Sequence, residues 1–183
     1  MTAWTLWITG LPGSGKSTLA HALSRRLEAK GIHVQILSTD ALRKVMTPKP
    51  TYTEDERENV YATIVYLANL LNQNGVNTII DGTGNLRKYR DLARKTLKNF
   101  AIAYAKCPLT TSIRRENRRR NPYGAPANVY RKGQTGQSTT VPGLNVPYEE
   151  PLEAEITVMT DKQTIEETVE VLLSFILNTL EKR

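Results

Sequence analysis

The sequence predicts an α/β fold with a central parallel sheet of five strands and helices on either side. Short apolar, β-prone runs alternate with segments in which apolar residues recur at helical spacing, and glycine or proline marks many of the boundaries. Strands and helices that alternate in this way form βαβ units, whose strands are parallel. A chain of 183 residues is long enough for one domain, 1–183, with a buried core of its own.

The first half of the chain contains three predicted strands, at 4–9, 34–37 and 76–80. Helices are predicted at 17–30, in a short stretch up to Met46, and from Thr53 to Gly75, where glycine ends the apolar stripe. The long helix opens on Thr53 and Glu56, the spacing of a capping box, in which each side chain binds the other's backbone N–H.

The second half predicts helices at 87–97, 109–120 and 164–180, and strands at 100–106 and 155–159. Between them, residues 121–151 are rich in Gly, Pro, Asn and Thr and have no periodicity. Unstructured connections of this length are uncommon inside a compact domain unless they serve as a lid or a binding segment. We therefore expect a lid at about 110–150.

Composition narrows the function classes. The net charge is +7, and seven basic residues against one acidic residue lie within 114–132. Such a cluster indicates an anionic partner, which is a nucleic acid, a membrane surface or a phosphate group.

Cys107 is the sole cysteine, so the chain forms no internal disulfide or cysteine-cluster metal site. No apolar run approaches the ~20 residues that span a bilayer, and no secretory signal is recognisable, so a cytoplasmic location is expected.

The most specific motif is GLPGSGKS, which fits the P-loop pattern between a predicted strand and a predicted helix. Its glycines let backbone N–H groups face phosphate oxygens, and the helix N-terminus adds positive charge. Lys16 can reach the β- and γ-phosphates, and the Ser17 hydroxyl can bind Mg²⁺. We expect ATP, with Mg²⁺ as cofactor, to be bound by Gly10, Pro12, Gly13, Ser14, Gly15, Lys16, Ser17 and Thr18.

Two aspartates end predicted strands at the edge where parallel sheets bind ligands. Asp81 closes the run TIID and is either a Walker-B-like carboxylate facing Mg²⁺ or a turn residue beside Gly82. Asp40 is either the group that accepts a proton from an acceptor hydroxyl or a plain helix cap. The arginines at 114–120 are either lid cations for the transferring phosphoryl group or a solvated helix face. We take Lys16 and Asp40 as the catalytic pair and Ser17 and Asp81 as the metal ligands.

Over nearly its whole length the sequence resembles the adenylylsulfate kinases, which transfer phosphate from ATP to the 3′-hydroxyl of adenosine 5′-phosphosulfate. The resemblance implies a three-layer P-loop kinase fold with a basic lid. It rests on GLPGSGKST, on LSTDALR at 37–43, on TYTEDERENV, on CPLTTSIRRE, on VYRKGQTG at 129–136 and, most specifically, on GLNVPYEEP at 143–151.

The resemblance also implies site residues. Arg115, in the segment that opens the lid, is expected to bind the nucleotide, and Tyr52 is expected to stack on the adenine of the acceptor. The implied partners are ATP and adenosine 5′-phosphosulfate, with a second copy of the chain in a homodimer; no membrane partner is expected and nucleic acid is not favoured. The implied acceptor site consists of Asp40, Arg43, Tyr52, Asn59, Arg87 and Lys132.

Four positions depart from the family pattern, and about nine residues, 117–125, are inserted in the lid. Gly84 stands in place of a serine, so a phosphoserine intermediate is not supported; the other three departures are Ala41, Tyr61 and Val141, the last in place of a phenylalanine. Two other functions therefore stay open. One is a kinase for another hydroxyl acceptor, such as a nucleotide, a sugar or a polynucleotide 5′-end. The segment DGTGNLRKYR resembles a pattern of such kinases, in which a strand is followed by Asp-x-Thr-Asn. The other is an ATP-binding module without catalysis.

Overall fold

Five parallel strands form one sheet in the computed structural model, which describes residues 2–119 and 123–182. The strands run in the order β2-β3-β1-β4-β5, which confirms the predicted α/β fold with a five-stranded parallel sheet. Asp81, at the end of β3, is in register with Ile8 on one side and with Ser38 on the other. The strands are β1 (Thr5–Thr9), β2 (Val34–Ser38), β3 (Asn77–Asp81), β4 (Phe100–Lys106) and β5 (Ile156–Met159).

Within the described ranges, seven α-helices connect and cover the strands, and their first turns show why they begin where they do. The Ser38 hydroxyl accepts a hydrogen bond from the Ala41 N–H and so caps α2. Thr164 and Glu167 form a complete capping box at α7. The helices are α1 (Lys16–Glu28), α2 (Thr39–Met46), α3 (Glu54–Gln73), α4 (Arg87–Thr96), α5 (Leu109–Arg118), α6 (Val129–Gln134) and α7 (Ile165–Phe175), which continues as a π-helix at Ile176–Leu180.

The capping box predicted at the start of α3 is only half formed. The Thr53 hydroxyl accepts a hydrogen bond from the Glu56 N–H, as expected. The Glu56 carboxylate does not return to the Thr53 backbone, because it pairs with Arg43 and accepts hydrogen bonds from Thr51. An interaction between helices α2 and α3 has thus replaced a local one.

The sheet separates two hydrophobic cores, as alternation along β1 requires. Leu6 and Ile8 point to a core shared with α1 and α7, whereas Trp7 points to a core shared with α3 and α4. All five residues of β1 are buried, since this strand lies at the centre of the sheet with helices on both faces.

The lid differs most from the sequence prediction. Helix α5 ends at Arg118, whereas the sequence predicted it to 120, and Arg120 lies outside the described residues. The predicted irregular stretch contains helix α6, whose six residues are too few to show a period. The helix is held by tertiary contact, because Tyr130 is fully buried and its hydroxyl donates to the Pro12 carbonyl over 2.9 Å.

Among the described residues, no helix has the length and apolarity needed to cross a membrane.

The two-core packing predicts a large cost for a cavity beneath α1. Leu23 is completely buried in the core shared with α7. Leu23→Ala should lower the free energy of unfolding by about 2–5 kcal/mol, measured by chemical denaturation. Leu152→Ala, at a side chain that is 79% exposed, is the matched control and should change that free energy by less than about 0.5 kcal/mol. Equal effects of the two substitutions would contradict the described core.

Candidate active site

A cavity of about 900 Å³ lies at the carboxyl edge of the sheet, between the P-loop, the start of α2, the turn before α3 and the lid. Its volume is typical of sites for small molecules. Most of the residues predicted from the sequence line it: Pro12, Gly13, Gly15, Lys16, Ser17, Thr18, Asp40, Arg43, Tyr52, Asp81, Arg115 and Lys132.

The P-loop is packed tightly against the structure behind it. Gly13 has φ +80°, and a Cβ built on it would lie 2.3 Å from the carbonyl oxygen of Ser112 in α5. Only glycine fits both the left-handed backbone and this close approach. Ser14 is buried behind the loop, and its carbonyl accepts a hydrogen bond from the Thr160 hydroxyl over 2.9 Å. The loop is thus held from both sides and exposes its outer face to the cavity.

Lys16 and two carboxylates form a charged cluster at the floor of the cavity. The Lys16 ammonium group donates to the Leu11 carbonyl over 2.9 Å. Burial lowers the pKa of Lys16, and the negative charges of Asp81 and Asp40 oppose that change. Burial also raises the pKa of Asp81, while the charge of Lys16 and a hydrogen bond from Ser17 lower it. Attraction between Lys16 and the carboxylates therefore opposes the pKa shifts that burial causes, and both carboxylates lie within electrostatic reach of Lys16.

Ser17 and Asp81 are the predicted metal ligands, and both side chains line the cavity beside the phosphate loop. Among residues 2–119 and 123–182, no group of three histidine, cysteine or carboxylate side chains could hold a metal ion. Mg²⁺ in nucleotide sites usually takes one or two protein oxygens and completes its shell with water and phosphate oxygens. A hydroxyl and a carboxylate beside the phosphate loop fit that requirement.

On the opposite side of the cavity, the Tyr52 ring lies close to two arginines. Its ring centroid is 4.8 Å from the Arg43 guanidinium carbon and 5.7 Å from that of Arg57. Arg43 forms a buried ion pair with Glu56, which fixes its guanidinium beside the ring. Tyr52 has φ +56°, an uncommon conformation for a residue with a side chain. The ring is therefore held in a defined position at the cavity wall.

Arg57 was not identified from the sequence. It lines the cavity and is buried, and its guanidinium donates to the carbonyls of Tyr52 and Thr140 and to the Asn85 side chain, over 2.6–3.2 Å. It therefore ties the Tyr52 turn to the lid. In the sequence it is one of several charged residues at the start of α3, and no local pattern distinguishes it from the others.

The arginines of the lid are divided between the cavity and the solvent. Arg114 and Arg118 are exposed and do not line the cavity, which agrees with the solvated-face alternative. Arg115 and Arg119 do line it. The Arg115 guanidinium donates to the Thr160 carbonyl over 2.7 Å, so the end of β5 sets its direction.

Two predicted acceptor residues are not brought to the cavity. Asn59 is exposed on α3. The Arg87 N–H donates to the Glu149 carboxylate over 2.7 Å and its side chain to the Glu150 carbonyl over 3.0 Å. Arg87 therefore fastens the end of the lid segment to α4.

The departures at Tyr61 and Gly84 belong to one packing unit. The Tyr61 hydroxyl accepts a hydrogen bond from the Gly84 N–H over 2.9 Å, and its ring stacks on Tyr89 at 4.4 Å. Gly84 has φ +52°, and a Cβ there would lie 2.9 Å from the Cζ2 atom of Trp7. A serine at position 84 does not fit unless Trp7 moves.

Comparison with known proteins gives one consistent family. The family model described as adenylylsulphate kinase matches residues 2–159. A probable adenylyl-sulfate kinase of Archaeoglobus fulgidus is 35% identical over 160 residues, which are 87% of this chain and 97% of the relative. An adenylyl-sulfate kinase of Rippkaea orientalis is 33% identical over 165 residues, 90% of this chain and 86% of the relative. The structure of an APS kinase of Mycobacterium tuberculosis in complex with AMPPNP and APS superposes with a TM-score of 0.85 at 26% identity, covering 96% of this chain and 98% of that one.

Because Gly84 is closely packed, we expect a side chain to be tolerated less well there than at Gly136, which also has a left-handed backbone. Gly136 also has a positive φ, +75°, but a Cβ there would meet nothing within 4 Å. Both Gly84→Ala and Gly136→Ala should destabilise the fold, by roughly 1 kcal/mol from backbone strain alone. Gly84→Ala should cost more, because its methyl group also displaces Trp7. Equal midpoints of thermal unfolding for the two variants would contradict this account.

Proposed function

The chain belongs to the adenylylsulfate kinase family, and on that premise we propose that it transfers the γ-phosphoryl group of ATP to the 3′-hydroxyl of adenosine 5′-phosphosulfate. The observation that carries the proposal is a single cavity with a phosphate loop on one wall and the Arg43–Tyr52 pair on the other. Asp40 is close enough to both walls for its charge to act on each. Burial raises the pKa of Tyr52 and the charge of Asp40 adds to that increase, while the same charge opposes the lowering of the Lys16 pKa by burial.

The nucleotide half of the site binds ATP as co-substrate. The P-loop N–H groups and the start of α1 cradle the phosphates, and Lys16 neutralises charge on the β- and γ-phosphates. Mg²⁺, when bound through Ser17 and Asp81, would supply charge neutralisation between the β- and γ-phosphates. Arg115, held by Thr160, borders the nucleotide side of the cavity.

The acceptor half offers an aromatic ring and fixed cations. Tyr52 provides a face for stacking the adenine, and Arg43 and Lys132 provide positive charge for the phosphosulfate group. Because Val141 replaces the expected aromatic residue, Tyr52 carries the stacking alone. The acceptor roles expected for Asn59 and Arg87 stay predictions, as do the homodimer and the cytoplasmic location.

The chemical step needs a base at the acceptor hydroxyl and cations around the phosphoryl group. Asp40 takes the proton from the 3′-hydroxyl while the 3′-oxygen of the acceptor forms a bond to the γ-phosphorus of ATP. The bond between the γ-phosphorus and the oxygen that bridges to the β-phosphate breaks, and ADP leaves. Charge on the transferring group spreads over its oxygens, which Lys16 and the loop N–H groups stabilise. The lid, which borders the cavity and is packed on the phosphate loop, keeps water from replacing the acceptor.

The direct test is an ADP-release assay with Mg·ATP and three acceptors supplied separately: adenosine 5′-phosphosulfate, a panel of simple sugars and a 5′-hydroxyl oligonucleotide. We expect ADP formation with the first acceptor only. Lys16→Ala, which removes the cation over the phosphates, provides the background rate. ADP formation with a sugar or the oligonucleotide, but none with adenosine 5′-phosphosulfate, would overturn the acceptor and leave the kinase chemistry.

Asp40→Asn should lower kcat by about 10²–10⁴-fold, because asparagine cannot take up the hydroxyl proton. The affinity for ATP should change little, since the phosphates are held by the loop. Asp55→Asn makes the same change at an exposed carboxylate outside the cavity and serves as the control. Steady-state kinetics at saturating ATP measure the effect. A loss confined to ATP affinity would remove Asp40 from the chemical step.

Tyr52→Ala should raise the KM for adenosine 5′-phosphosulfate by at least about tenfold, because stacking of a base on an aromatic ring contributes about 1–3 kcal/mol. Tyr52→Phe keeps the ring and should behave like the wild type. The KM for ATP should be the same in all three proteins. An unchanged acceptor KM in Tyr52→Ala would show that the adenine binds elsewhere.

A further inference from the structure

One face of helix α5 lies directly on the phosphate loop. A Cβ on Gly13 would be 2.3 Å from the Ser112 carbonyl oxygen and 3.2 Å from the Glu116 Cβ. Ser112, Glu116 and Arg119 are spaced four and three residues apart, so they share this face. Arg119 follows the last helical residue and lines the cavity, whereas Arg118 points away from it and is exposed.

The Arg119 side chain is held in place from one side only. Its Nη2 atom donates to the Pro126 carbonyl over 2.7 Å and to the Glu116 carboxylate over 3.4 Å. That carboxylate is completely buried and also accepts a hydrogen bond from the Val129 N–H over 3.1 Å. An arginine carries five N–H donors, and within the described residues its Nη1 and Nε atoms make no hydrogen bond. The guanidinium is thus oriented by the lid and retains donors for a ligand.

Arg119 and the phosphate-binding Lys16 line the same cavity, and helix α5, which ends just before Arg119, packs directly on the phosphate loop. Two cations held near one another beside a phosphate loop favour an anion between them. Arg115 cannot serve in the same way, because its guanidinium is directed to Thr160.

Residues 123–127, where the description of the chain resumes, support the same geometry. Tyr123 stacks on His21 of α1, with ring centroids 4.6 Å apart, and Pro126 supplies the carbonyl that Arg119 contacts. Tyr123 to Ala127 line the cavity. These contacts connect the inserted stretch to the helix that follows the P-loop.

We propose that Arg119 binds the terminal phosphates of ATP from the lid side, opposite Lys16. Arg119 lies within the inserted stretch 117–125, so the family resemblance assigns it no role. The inference rests on the ATP half of the proposed function and does not depend on the identity of the acceptor.

The test is nucleotide binding without acceptor, measured by isothermal titration calorimetry with Mg·AMPPNP, Mg·ADP and AMP. Arg119→Gln should weaken AMPPNP binding by about tenfold or more, the effect of losing one charged hydrogen bond, and AMP binding by less than about twofold. ADP should fall between them. Arg119→Lys, which keeps the charge, should recover part of the AMPPNP affinity, and Arg118→Gln should match the wild type.

Thermal unfolding of each variant accompanies the titrations, because Arg119→Gln also alters the partner of a buried carboxylate. An equal loss of affinity for AMPPNP and AMP would overturn the inference and indicate a structural role. Unchanged AMPPNP affinity, or the same loss in Arg118→Gln, would also overturn it. If adenosine 5′-phosphosulfate is not phosphorylated while Arg119→Gln selectively loses AMPPNP affinity, the acceptor assignment fails and this inference stands.

Discussion

The backbone of Gly13 lies against the backbone of Ser112 at a distance that leaves no room for a side chain, and the nucleotide site depends on this contact. It places α5 on the phosphate loop. The Glu116 carboxylate then holds the start of α6 through the Val129 N–H, and the Tyr130 hydroxyl binds the Pro12 carbonyl. Loop and lid are therefore packed as one body, so less conformational entropy has to be lost when a nucleotide orders them.

The charges at the floor of the cavity are balanced only in part. Lys16 is buried within electrostatic reach of Asp81 and Asp40, and burial shifts the pKa values of Lys16 and Asp81 in opposite directions, each towards the neutral form. Attraction between Lys16 and the two carboxylates opposes these shifts in surroundings of low dielectric. A nucleotide phosphate with its metal ion adds both negative and positive charge to the same place. Such a cluster is well suited to a ligand that carries both signs.

Two of the departures from the family pattern, at Tyr61 and Gly84, have a common physical origin. Tyr61 accepts a hydrogen bond from Gly84, and Gly84 has its backbone against Trp7, so the size of one residue limits the others. A glycine at position 84 is the consequence of a tryptophan and a tyrosine meeting there. On the lid side, Val141 is buried and lines the cavity, whereas Tyr52, Tyr61 and Tyr123 supply aromatic side chains to the same lining. The residues that pack on the acceptor side of the cavity therefore differ from those of the family pattern, although the sheet beneath them is the same.

The sequence by itself determined the parallel sheet, the P-loop and Asp81 at the end of β3, because each follows from neighbouring residues: alternating periods, a glycine spacing, a polar residue closing an apolar strand. Asp40, predicted at the end of a strand or as a helix cap, lies inside α2 instead, because β2 ends at Ser38 and Ser38 caps the helix. Tertiary structure decided which side chains reach the cavity. Arg57 and Arg119 reach it, while Arg87 is drawn to Glu149 and Glu150 and Asn59 stays exposed. The reason is that a long side chain on a helix follows its nearest partner, and that partner is supplied by another element. The same holds for α6, which is too short to show a period and is stabilised by the buried Tyr130.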